Sequence, residues 1–133
     1  MTQYVVDASL AVEYLLRTSL GLKIADTIES AVLITPALHD VEVLSMLRRA
    51  VLHKKLEEQR ALLALEDLMA WQVDRIDHRN LIREAWRHYH NVSGYDAFYV
   101  AVARLYDVPL LTADGPLSRA STLTITVRNM RLE

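Results

Sequence analysis

Cysteine is missing from this 133-residue chain, lysine occurs only as Lys23, Lys54 and Lys55, and no stretch is both long and free of charge. The first absence excludes disulfides, thiol nucleophiles and cysteine-ligated zinc, and it suits a reducing cytosol. The last leaves nothing able to span a membrane. A secretory leader is not expected either, because the N-terminus lacks a basic segment and Asp7 and Glu13 interrupt its apolar run. A strong charge imbalance is also lacking: the formal net charge is -2, which by itself gives no sign of a nucleic-acid binder. Arginine supplies 12 of the 15 basic residues, and its planar fork suits phosphate oxygens and surface ion pairs alike. The hydrophobic share of 52% recurs at helix or strand spacing, which excludes disorder. Residues 1–133 are read as a single domain with a full core and no separate lid.

Strand and helix signals alternate along the chain. Gln3 to Val6 reads as a strand ended by Asp7, after which Ser9 caps a helix from Leu10 to Arg17. A turn at Thr18 and Ser19 leads to a helix over Leu20 to Ser30 and a strand over Val32 to Thr35. Pro36 then breaks the chain before a long helix from Leu38 to Lys55. That helix is apolar nearly all round, except for a strip of Glu42, Ser45, Arg49 and His53. Glu57 to Ala70 completes a helical hairpin, with Leu62, Leu65 and Met69 as a core or partner stripe.

Trp71 to Ile76 reads as a third strand, and Asn80 to Tyr89 as a helix with Arg79, Arg83 and Arg87 along one side. The stretch SGYDAFYVAVARLYDVPLLTAD, residues 93–114, gives a helix ended by Asp107 and Pro109, a buried strand from Val108 to Leu111, and an acid. Ala97 and Ala101, four apart, are small enough to let this helix lie close on a sheet. Gly115 and Pro116 make a turn, a short helical piece reaches Ala120, and Leu123 to Val127 alternates as a last strand. The expected fold class is a three-layer α/β/α domain with a central, mainly parallel sheet flanked by helices.

Against that frame, four carboxylates recur in matching places. Asp7 and Asp114 follow strands, Asp96 opens the helix of the 93–114 stretch, and Glu42 lies on the helix after the second strand. Functional groups of open α/β sheets gather at such strand ends. Each acid also has an ordinary reading: Asp96 in a capping box with Ser93, Asp7 as a cap, Asp114 as a turn residue before Gly115, Glu42 paired with a surface cation. Their joint placement favours a shared site. Carboxylates brought together repel one another, and an oxygen-only set relieves that repulsion by taking a hard cation, Mg²⁺ or Mn²⁺, in preference to zinc. Such an ion activates water for attack on a phosphodiester. Elsewhere, His88 and His90 read as solvated, the arginine side as a solvated helix face that also carries Glu84, and Tyr95 and Tyr99 as core or rim packing rather than base-stacking groups.

Three segments carry a resemblance: VVDASLAV, TPALHDVEVLSMLRR and SGYDAFYVAVARLYDVPLLTAD, in this order and spacing. Together they resemble the PIN-domain ribonucleases, specifically the VapC toxins of type II toxin–antitoxin modules, over nearly the whole chain. The resemblance implies that Asp7, Glu42, Asp96 and Asp114 are the four catalytic acids, with Asp7 and Asp96 as direct metal ligands. It places Ser9 and Thr112 as hydroxyls beside the first and last acids. It further implies a PIN-like fold, Mg²⁺- or Mn²⁺-dependent cleavage of RNA, a homodimer, and a cognate VapB-type antitoxin packed along Leu38 to Ala70. Ser45 stands where many relatives have asparagine, and Pro116 where some carry a further acid.

The expected function is a metal-dependent endoribonuclease toxin in the cytoplasm. Two rivals are set beside it. A phospho-aspartate enzyme using Asp7 is disfavoured by Ser9 in place of a second acid and by the lack of a lysine after a late strand. A catalytically silent protein-binding module would use the same acids to receive a partner's arginines.

Overall fold

Neighbouring residues of each central strand point into different cores. Val6, Leu33 and Leu111 join an apolar cluster with α1 (Ala8–Leu16), α2 (Ser19–Glu29), α3 (Leu38–Leu52) and α4 (Glu58–Ala70). Val5, Ile34 and Leu110 join a second cluster with α5 (Ile82–Trp86) and α6 (Gly94–Tyr106). A strand apolar on both sides must be covered on both faces, and this one is. The computed structural model describes residues 1–114, 117 and 125–133.

The strands β1 (Gln3–Val6), β2 (Val32–Pro36), β3 (Asp74–Ile76), β4 (Leu110–Thr112) and β5 (Val127–Asn129) form one sheet in the order β3-β2-β1-β4-β5. Every pairing is parallel, with Val5 opposite both Ile34 and Leu110. The expected three-layer α/β/α architecture is therefore present. Chain order reverses between β1 and β4, so the topological switch point lies where Asp7 and Asp114 leave their strands.

Local differences from the sequence reading have physical causes. Asp7, not Ser9, is the N-cap of α1: its backbone is extended and its carboxylate accepts from the Leu10 amide, which leaves Ser9 inside the first turn. Pro36 precedes the long helix as expected but is itself the last residue of β2, and α3 stops at Leu52, because Lys54 turns into the left-handed region. Only Asp74–Ile76 of the third strand pairs. The helix expected over residues 80–89 is a 3₁₀ turn, His78–Asn80, followed by the single short α5. The turn at Gly115 and Pro116, the piece reaching Ala120 and the start of a strand at Leu123 lie outside the described residues; the last described strand is Val127–Asn129.

Side-chain size decides which faces pack. Ala61, Ala64 and Leu68 form the buried face of α4, whereas Leu62 and Met69 are exposed and Leu65 is half-buried. On the other layer Glu84 and His88 are buried, with His88 Nε2 3.0 Å from Glu84 Oε2, so neither is the solvated residue expected. His90 is exposed. Gly21 is required by close helix contact, since a Cβ there would stand 2.0 Å from the Glu13 carbonyl oxygen of α1.

Candidate active site

Four segments of the chain deliver the acids to one end of the sheet. β1 ends at Asp7, which remains 5% exposed although it is a carboxylate. Its Oδ1 accepts from Ser9 Oγ at 2.8 Å and from the Leu10 amide at 3.0 Å, and its Oδ2 accepts from Thr112 Oγ1. The same two hydroxyls hold the end of β4. Ser9 Oγ accepts from the Ala113 amide at 3.1 Å and Thr112 Oγ1 from the Asp114 amide at 2.8 Å. Asp7 thus ties together the two strands at the switch point, while Thr112 sets the backbone from which Asp114 projects.

Glu42 and Asp96 come from the two helical layers. Glu42 lies in the second turn of α3, half-buried. Asp96 lies in the first turn of α6, where the Ser93 hydroxyl caps its amide at 3.2 Å. Tyr99, one turn further along α6, is 1% exposed and donates its hydroxyl to Glu42 Oε1 at 2.5 Å. Tyr99 is therefore a core residue with a polar contact inside the site. Sequence reading left it among packing tyrosines; the clue present was its place three residues after Asp96.

Electrostatics show how near the acids stand. Burial pushes the Asp7 carboxyl up to about 6, against the opposing pull of Thr112, Leu10 and Ser9, and the Asp114 charge adds to the rise. Asp96 is also raised, by burial first and then by the charges of Asp114 and Glu42. The Tyr99 phenol is held firmly protonated by burial and by its bond to Glu42, with the Asp7 and Asp96 charges acting in the same direction. Each of the four acids acts on another or on the phenol between them.

Among the described residues, however, no three carboxylates or imidazoles stand close enough to form a ready-made metal cage. The donor chemistry still fits a hard divalent ion: only oxygens are offered, and the set carries the mutual repulsion that a cation relieves. A cavity of about 770 Å³ lies elsewhere, lined by Glu84, Arg104, Val108 and their neighbours and by none of the acids.

The family described as PIN domain matches residues 4–123, which include all four acids. The chain belongs to the PIN-domain family. Within it, this PIN domain is 37% identical to Ribonuclease VapC1 of Mycobacterium tuberculosis, over 98% of this chain and 100% of that protein. Its fold is similar to that of Mycobacterium tuberculosis VapC20, described as a sarcin-ricin loop cleaving toxin, with a TM-score of 0.63 and 20% identity. That superposition covers 88% of this chain and 94% of VapC20. It is also similar to VapBC2 from Rickettsia felis, solved bound to a DNA fragment from their promoter, with a TM-score of 0.62 and 11% identity, covering 96% and 98% of the two chains. Among the described residues, no helix of this PIN domain is long and apolar enough to cross a membrane.

Proposed function

We propose that this PIN domain is a metal-dependent endoribonuclease and the toxin of a type II toxin–antitoxin module. The observation that carries the reading is the acidic site at the switch point of a parallel sheet, where Thr112 joins Asp7 to the Asp114 amide and Tyr99, one turn after Asp96, joins Glu42. Asp7 and Asp96 would hold Mg²⁺ or Mn²⁺. When bound, the ion supplies Lewis acidity and a water of lowered pKa for attack on a phosphodiester. Ser9 and Thr112 fix the orientation of Asp7, and the Thr112 bond to the Asp114 amide fixes where the last acid stands. Glu42 and Asp114 complete the negative site, and surface arginines hold the RNA backbone.

Partners follow from the same reading. A VapB-type antitoxin would pack along the α3–α4 hairpin, where Val41, Leu44, Leu62 and Met69 are at least half exposed. A surface helix that leaves large apolar side chains outside is a natural seat for another protein. Pairing of two copies belongs to this reading too, and Ile82, Trp86 and Tyr89 offer a second exposed apolar surface for it.

The test is incubation of purified, antitoxin-free protein with structured RNAs, with Mn²⁺ or with chelator. Cleavage is expected only with metal, and Asp96→Asn should stay folded while cutting at least about 100-fold more slowly. Equal cleavage in chelator, or an Asp96→Asn protein as active as the parent, overturns the assignment. A melting temperature that ignores millimolar Mn²⁺ would favour the silent binding module, because a bound ion must stabilise the native state.

A further inference from the structure

Tyr99 has more polarity than its packing needs. Its neighbours on the buried face of α6, among them Val100, Val102 and Ala103, are apolar, and the ring shares their core. A buried hydroxyl needs an acceptor, and a backbone carbonyl would serve. This one instead reaches a carboxylate 57 residues away in sequence and on the opposite helical layer. Asp7 and Asp96 stand near enough for their charges to act on the same hydroxyl.

We propose that Tyr99 is a positioning residue of the acidic site, clamping Glu42 through Oε1 so that Oε2 is the oxygen presented to metal and substrate. The inference rests on the ribonuclease reading and assigns one residue's part in it. A glutamate on a helix surface samples many rotamers, and ordering it at the moment of use costs conformational entropy. The phenol removes that freedom beforehand, which is how preorganised sites gain rate. No other hydrogen bond to the Glu42 carboxylate is formed among the described residues, so Oε2 is free for this role. The Tyr99 proton is already committed to Glu42. Tyr99 therefore acts through Glu42 and does not touch the reacting atoms.

Tyr99→Phe keeps the ring and removes the clamp. With the circular dichroism spectrum unchanged, Mn²⁺ affinity measured without RNA, or kcat for an RNA oligonucleotide, should fall about 10–100-fold, the usual loss when a partner behind a site carboxylate is removed. KM for the oligonucleotide should stay as in the parent. In a Glu42→Ala background the same substitution should add nothing. The proposal is overturned if Tyr99→Phe matches the parent in both affinity and kcat within twofold, or if its effect is undiminished in Glu42→Ala.

Asp96→Asn is run alongside. If Asp96→Asn abolishes cleavage and Tyr99→Phe does not alter it, the clamp alone is wrong. If Asp96→Asn also cuts normally, the ribonuclease site itself is misplaced. Should Tyr99→Phe not fold, the parent protein answers by proton NMR. A downfield, slowly exchanging phenol proton that disappears in Glu42→Ala supports the clamp, and its absence from an otherwise resolved spectrum overturns it.

Discussion

Asp7→Asn separates what the site costs the fold from what it supplies to chemistry. The native carboxyl is raised from 3.8 to about 6, chiefly by burial. At about 1.4 kcal/mol per unit, holding it ionised above pH 7 costs the metal-free fold about 3 kcal/mol. The sign follows from proton binding: between pH 4 and 6 the native state holds a proton that the unfolded chain has released, so this group's contribution to stability falls as pH rises through that window.

Asparagine removes the charge at nearly the same volume. Its carbonyl can still accept from Ser9 and the Leu10 amide, both of which use Oδ1. Its amide, however, would face Thr112 Oγ1, which now donates to Oδ2. Thr112 would have to turn its proton toward Ser9 Oγ, 3.4 Å away, at a loss of about 1 kcal/mol.

In chelator at pH 8, Asp7→Asn should therefore be more stable than the parent by about 2 kcal/mol, or about 7 °C in melting temperature. The gap should shrink as pH falls through 6, close at about pH 4.5 and reverse below it, where the loss at Thr112 outweighs the remaining charge cost. Millimolar Mn²⁺ should raise the parent's melting temperature and leave the variant's unchanged. Thermal unfolding monitored by circular dichroism over pH 4–8, with chelator and with Mn²⁺, is the assay. A variant less stable than the parent at pH 8, or a gap that does not change with pH, would refute the reasoning.

Two further outcomes concern the scaffold. Gly21→Ala should gain helix propensity but drive a methyl into the Glu13 carbonyl, for a net destabilisation of about 1–3 kcal/mol in denaturant unfolding. Arg75 bonds Asp40 Oδ2 at 2.9 Å and the carbonyls of Leu68, Trp71 and Val73, tying β3 and the end of α4 to the start of α3. Arg75→Ala should cost roughly 2 kcal/mol by urea titration, with Arg75→Lys recovering less than half, because an ammonium cannot fork across these acceptors.

Much of the fold was legible because it is written in local patterns. The apolar runs around Val5, Ile34 and Leu110 announced strands of a sheet flanked by helices, and Ser93 marked the start of α6. The acids were visible as a set because Asp7, Asp96 and Asp114 sit at element boundaries and Glu42 interrupts an otherwise apolar helix face. Less legible was the packing face of α4. Its large residues, Leu62, Leu65 and Met69, have helical spacing, but the close contacts of this helix with α1 and α3 select the small face of Ala61 and Ala64. Glu84 and His88 were misread because their burial is made possible by each other and by the arginines beside them.

The sequence by itself determined the alternation of strands and helices, a mainly parallel sheet flanked by helices and the residue types of the acidic site, since these depend on periodicity and chemistry within short windows. Tertiary structure decided which oxygens meet. Asp7 finds Thr112 across 105 residues and Glu42 finds Tyr99 across 57. Contacts between such distant segments depend on strand order and helix approach, which no local pattern encodes.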